Sequence, residues 1–377
     1  MQPDQLESAK ISPCGISCTI CRFYIRGQCE CQTGDGSRPF HQLTLQPCPV
    51  EQCAATRDIK YCARDCTDFP CLLLEQIIPY RWYRLATGSG DASLPPGQQH
   101  ADQGDDILRI VCLGEFRVFR GDVEVSDSDW GKGRGPTRKI KALFAFLLSR
   151  RAHGARKETI IDLLWPGQTD SQRANSSFHQ ALFYLRRALE PELESGSVSS
   201  YIRHRDERYY FAPQKPYWID ADALVDCSER ARSLEQSGDP GSAIECWARA
   251  TELYGGRYMA GIDSKYTDSD YYDWCASACY RFEQLFLAAA LAVARYHLDT
   301  GHHALAIVHA REALFVEPAL EPAHQLLIRC LMEAGQLEHA LGQYRVCEAE
   351  LDFHHERVPS EQTRLLYQEL VDRMGSN

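Results

Sequence analysis

The 377-residue sequence has no run of about 18 apolar residues, the length a membrane-spanning helix needs, and its opening "MQPDQLESAK" carries no apolar signal core. A soluble, cytoplasmic protein without a membrane partner is expected. Nor is there a G-x-x-x-x-G-K-[ST] loop to cradle nucleotide phosphates; "GKGRG" at Gly131 to Gly135 lacks the spacing and reads as a basic loop. The chain also lacks a basic balance: its net charge of −11 argues against nucleic acid binding along its whole length. No convincing catalytic acids accompany the cysteines, so no enzyme is expected. A metal-cluster redox protein or enzyme on a helical-repeat scaffold is kept as the alternative.

Cysteine, by contrast, is abundant and unevenly placed. Ten of the seventeen lie before residue 72: Cys14, Cys18, Cys21, Cys29, Cys31, Cys48, Cys53, Cys62, Cys66 and Cys71. In a reducing cytoplasm such closely spaced thiols read as metal ligands or redox groups rather than disulfides. Thiolates bind zinc tetrahedrally and also hold iron–sulfur clusters, and ten of them suffice for two four-thiolate sites. Both cofactors stay open, as do a structural and a sensing role. The Cys14-x3-Cys18-x2-Cys21 spacing is that of the radical SAM cluster, but the long βα alternation such enzymes need does not follow it.

Composition divides the chain into a cysteine-rich segment, 11–85, a linker, 87–106, rich in Gly, Pro, Asp and Gln, and two further segments, 107–213 and 216–373. The expected fold is mostly α and multidomain. It comprises a cysteine-rich metal-binding domain, a winged helix-turn-helix with a small β-sheet, and a tetratricopeptide-like helical repeat domain.

In the third segment, "ILRIVCLGEFRVFRGDVEV" alternates as short strands with turns at Leu113-Gly114 and Gly121-Asp122. "PTRKIKALFAFLLSRRAHG" places Ile140, Leu143, Phe144, Leu147 and Leu148 on one helical face, and "RKETIIDLLWPG" is a shorter helix stopped by Pro166. In "SFHQALFYLRRALEP" the stripe Phe178, Leu182, Leu185, Leu189 is the buried side of a third helix. Two strands, Tyr201 to Arg203 and Arg208 to Phe211, then flank a charged turn at His204 to Glu207. Three helices and a basic hairpin are the order of a winged helix-turn-helix, which sets a helix in the major groove of double-stranded DNA.

From Trp130 to Ala212 fifteen Lys and Arg stand against eight Asp and Glu, a basic segment inside an acidic chain. His179, Gln180, Phe183 and Arg186 are candidates to reach base edges. Arg203, Arg205 and Arg208 on the hairpin, with Lys139, Arg173 and Arg187, are candidates for the phosphate backbone. The bland reading is that these charges solvate exposed helix faces.

From Ile219 to Val371 the period is almost wholly helical. Gly301 and Gly335 lie 34 residues apart, as do Ala306 and Ala340, which is the tetratricopeptide period. His302-His303 and His354-His355 lack companion ligands, and Cys275 and Cys279, at i and i+4, read as packing residues.

The motifs "LLWPG", "LRRAL", "ELYGG" and "VPSEQTRLLYQ", within a match over 107–371, resemble the SARP-like transcriptional activators: an OmpR-type winged helix followed by a bacterial transcriptional activator domain. The resemblance implies sequence-specific binding to promoter DNA, with the helical domain serving dimerisation, contact with the transcription machinery, or regulation. The chain departs from those members that carry an ATPase module. "CGISCTICRFY", "GQCEC" and "IKYCARDCTDFPCLLLEQ" resemble an uncharacterised cysteine-rich family suspected of metal binding, which does not choose the metal.

Overall fold

The computed structural model describes residues 107–375 apart from Lys132, Ser195, Asp270 and Tyr271. The cysteine-rich segment, with its ten candidate ligands, and the linker lie outside the described residues. The described chain is mostly α, with small β-sheets and stacked helix pairs. Among the described residues no helix is long and apolar enough to cross a membrane.

Residues 107–289 form one compact unit. Its first sheet has the order β3-β2-β1-β7, with β1 Leu108–Val111, β2 Arg117–Arg120, β3 Val123–Glu124 and β7 Tyr217–Ile219. β1 runs antiparallel to β2 and parallel to β7, so the chain returns to its own first strand before the helical part begins. Three helices follow the opening strands: α1 Arg134–Ser149, α2 Lys157–Leu164 and α3 Ser171–Leu189. A second sheet, β4-β6-β5, consists of β4 Ala155–Arg156 between α1 and α2 and the hairpin β5 Ile202–Arg205 with β6 Arg208–Phe211. Helices and hairpin thus occur in the expected order.

Phe144 on α1 is the centre of this core. Its ring lies 5.9 Å from Phe116, 6.1 Å from Trp130 and 5.5 Å from Phe211, so one side chain joins the β1–β2 loop, the loop before α1 and the hairpin. The sequence predicts one buried face for α1, yet every side chain from Ala142 to Leu148 is buried. The reason is a second layer: Phe146, off the predicted face, packs edge-on against Trp274 at 5.7 Å. Gly154, at φ 61°, ends the α1 connection, and a Cβ there would lie 2.5 Å from the Tyr210 ring.

Two helices, α4 Asp220–Ser237 and α5 Pro240–Leu253, pack as a pair. The expected helical run then breaks. Residues 254–261 form a strap that bonds to the β1–β2 loop: the Met259 N–H donates to the Cys112 carbonyl at 2.7 Å, the Phe116 N–H to that of Ala260 at 2.8 Å, and the Gly114 N–H to that of Arg257 at 3.2 Å. Gly255 permits the approach, since a Cβ there would lie 2.6 Å from the Leu113 carbonyl oxygen. The short helix α6 Ser264–Thr267, the strands β8 Asp268–Ser269 and β9 Tyr272–Asp273, and the long helix α7 Ala276–Asp299 follow.

Residues 290–375 belong to a second unit, with α8 His303–Val316, α9 Glu321–Glu333, α10 Leu337–His355 and α11 Glu361–Gly375. The 34-residue period is visible in its turns. Gly301 and Gly335 both take positive φ, 76° and 73°. Each turn carries the same two bonds: Gly301 N–H to Leu298 and His302 N–H to His297, matched by Gly335 N–H to Met332 and Gln336 N–H to Leu331. These are the paired bonds of a glycine-ended helix. Ala306 and Ala340, five residues beyond each glycine, are fully buried, where a small side chain lets the helices close.

Candidate nucleic-acid interface

Helix α3 begins at a built cap: the Asp170 carboxylate accepts from the backbone N–H of Gln172 at 2.9 Å and of Arg173 at 3.0 Å. From there its faces separate cleanly. Ala174, Phe178, Ala181, Leu182, Leu185, Ala188 and Leu189 are buried. Arg173, Ser176, Gln180, Phe183 and Arg187 are exposed and recur at three- and four-residue spacings, which keeps them in one stripe opposite the core. His179 is exposed on the edge of that stripe. Phe183 is 48% exposed, a large apolar ring on an otherwise polar face.

Arg186 is placed differently from its neighbour Arg187. It sits on the flank of the buried stripe, half-buried, and its Nε is enclosed without a hydrogen-bond partner among the described residues. Its charge acts on the nearby Tyr209 phenol, whose pKa is raised chiefly by burial and lowered by Arg186. Ser176, which fills the gap between Arg173 and Gln180, was missed in the sequence because a serine carries neither charge nor hydrophobic period; the i+3 and i+7 spacings from Arg173 would have found it.

The hairpin alternates in the same way. His204 and Tyr209 form one cross-strand pair, with rings 4.4 Å apart, and Tyr209 packs on Phe178 of α3 at 5.0 Å. Arg203 pairs with Tyr210 and Arg205 with Arg208, so all three arginines share the other face. The second strand is as predicted, Arg208–Phe211, while the first runs two residues further than predicted, to Arg205, leaving a two-residue turn. Asp206 and Glu207 both take positive φ, 49° and 60°, the geometry that matches hairpin twist. β4 escapes sequence reading because two residues are too few to show alternation.

Two like charges directly opposite in a ladder repel. Here Arg205 is compensated by the Asp206 carboxylate at 2.9 Å, an exposed pair, while Arg208 donates to the His153 carbonyl at 3.3 Å. Lys139 lies on α1 with its Nζ 5.0 Å from the Trp165 ring centre; burial, and then the charge of Lys265, lower its pKa. Among the described residues, no group of three or more His, Cys, Asp or Glu side chains is arranged to hold a metal ion.

Residues 219–371 match the family "Bacterial transcriptional activator domain". The regulatory protein AfsR of Streptomyces coelicolor is 26% identical over 252 residues, which cover 66% of this chain and 23% of that protein. The chain therefore matches about a quarter of the length of that relative. A solved structure of Mycobacterium tuberculosis EmbR, in complex with a low-affinity phosphopeptide, superposes with a TM-score of 0.55 at 18% identity, covering 71% of this chain and 65% of that one. At that identity the likeness shows a shared fold.

Proposed function

We propose that this chain, which carries a bacterial transcriptional activator domain and is similar to a regulatory protein, is a DNA-binding transcriptional regulator of the SARP-like kind. It works without a catalytic step. The observation that carries the reading is the exposed stripe Arg173, Ser176, Gln180, Phe183 and Arg187 on a helix whose other side is core. A helix of that kind fits the major groove: Gln180 can pair with adenine, Phe183 can touch a thymine methyl, and Arg173 and Arg187 are suited to phosphates. His179 stands at the edge of the base-reading face, and Arg186 would have to leave its half-buried position to reach a guanine. The hairpin arginines Arg203, Arg205 and Arg208 neutralise flanking phosphates or enter the minor groove, and Lys139 serves the backbone.

Selection of duplexes from a random pool by the purified full chain tests the reading. Enrichment of a defined sequence, weakened by Gln180→Ala, is expected. An unenriched pool, with no salt-dependent binding of any duplex, would refute it.

In the same reading the helical repeats contact the transcription machinery or a second copy of the chain. The ten N-terminal thiols bind zinc or an iron–sulfur cluster, to fold that segment or to sense. Their spacing supports this. Anaerobic purification with zinc, iron and acid-labile sulfide analysis decides between the metals, and metal content unchanged by Cys18→Ser would remove Cys18 from the ligands.

A further inference from the structure

The Cys275 and Cys279 sulfurs lie 3.7 Å apart at the start of α7, and both are almost fully enclosed, 3% and 5% exposed. The Cys279 N–H donates to the Cys275 carbonyl at 2.8 Å, so the two residues span one helical turn, with Cα atoms about 6 Å apart. That separation is within the range a disulfide accepts, and closing the bond requires the sulfurs to approach to about 2 Å. Both sulfurs also face the carbonyl of Tyr258, at 3.9 Å and 3.6 Å. Tyr258 is bridged to Leu113, so the thiols sit directly behind the strap that joins the helical part to the first sheet.

We infer that Cys275 and Cys279 are an oxidisable dithiol, converted by hydrogen peroxide to an intrachain disulfide that loosens the strap 254–261 from the β1–β2 loop. Cys279 is the nucleophile. Hydrogen bonding from Cys275 lowers its pKa, burial opposes this, and the guanidinium of Arg257 lowers it further. The Cys279 thiolate attacks one peroxide oxygen, the O–O bond breaks, and hydroxide leaves; Cys279 becomes a sulfenic acid. The Cys275 sulfur then attacks the Cys279 sulfur, the S–O bond breaks, and the hydroxyl leaves as water with the Cys275 proton. Two thiols lose two electrons and one peroxide becomes two waters. Drawing the sulfurs together moves them off the Tyr258 carbonyl that both face in the dithiol. A dithiol reductant reverses the change. None of this depends on DNA binding.

Peptide mapping of the full chain tests the proposal, because cleavage after Lys265 and Arg281 places both cysteines on one peptide. After brief exposure to hydrogen peroxide, that peptide should be two hydrogens lighter and refuse an alkylating agent until reduced. In Cys275→Ser, Cys279 should accumulate as a sulfenic acid trapped by a dione probe. In Cys279→Ser, oxidation of Cys275 should slow by roughly tenfold or more. Hydrogen exchange at the Met259 and Phe116 amides should quicken in the oxidised chain and return on reduction. Full alkylation of the peptide after peroxide would overturn the disulfide. A formed disulfide with unchanged exchange at both amides would overturn its effect on the strap.

Discussion

The Asp220 carboxylate lies 2.8 Å from the backbone nitrogen of Leu113, 107 residues earlier in the chain. It also accepts from the Cys112 backbone N–H at 2.9 Å and stands 2.9 Å from the Cys112 sulfur, so the first residue of α4 closes the loop after β1. Asp222, two residues on, makes an ion pair with Arg151. The sheet that precedes the three helices and the helix pair that follows them are thereby held as one unit.

Removing that carboxylate should be costly. Asp220→Ala takes the carboxylate acceptor from three buried N–H groups, those of Cys112, Leu113 and Ala221, and unfolding in urea should show a loss of about 2–5 kcal/mol. Burial raises the Asp220 pKa to about 6 despite its hydrogen bonds, above the value of about 4 in an unfolded chain. Folding therefore takes up a proton in that window. The contribution of this group is full below pH 4 and is lost as pH rises through 6, by about 3 kcal/mol in all. In Asp220→Asn that part of the pH dependence of stability should vanish.

Glycine at the strap is required by contact, not by flexibility. Gly255→Ala would drive a Cβ into the Leu113 carbonyl, a backbone atom with no rotamer to yield, and should lower stability by about 1–3 kcal/mol. Gly135, in the first turn of α1, has ordinary helical φ and open space around its Cα. Thermal unfolding should show Gly135→Ala neutral or stabilising by up to about 1 kcal/mol.

The hairpin and the stripe on α3 should separate in their response to salt. Arg205→Ala should weaken binding to every duplex alike and reduce the slope of log K against log salt by about 1. Gln180→Ala should leave that slope in place and cost about 1–3 kcal/mol on the selected sequence alone. Fluorescence anisotropy titrations over a range of salt measure both.

Phe178→Ala tests the packing beneath the interface. The ring is fully buried and supports Tyr209 of the hairpin, so the substitution should destabilise by about 3–5 kcal/mol. Circular dichroism during thermal unfolding gives the shift.

Local pattern determined much of this protein. The stripe Phe178, Leu182, Leu185, Leu189 was legible because a half-buried helix repeats its apolar residues every 3.6 positions, and the exposed candidates on α3 follow from the same period. The 34-residue turns at Gly301 and Gly335 were legible because a left-handed helix end demands glycine. Tertiary structure alone decided what joins distant segments. Nothing near Asp220 marks it as the partner of Leu113, nothing near Gly255 announces a carbonyl 2.6 Å from its missing Cβ, and Phe146 lies off the predicted face of α1 until Trp274 covers it. Cys275 and Cys279 carry the same lesson: a four-residue spacing looks like packing, and only the fold sets both sulfurs against the Tyr258 carbonyl. Periodicity records which side of an element meets the core, whereas the identity of the partner depends on how the chain closes, which no local pattern encodes.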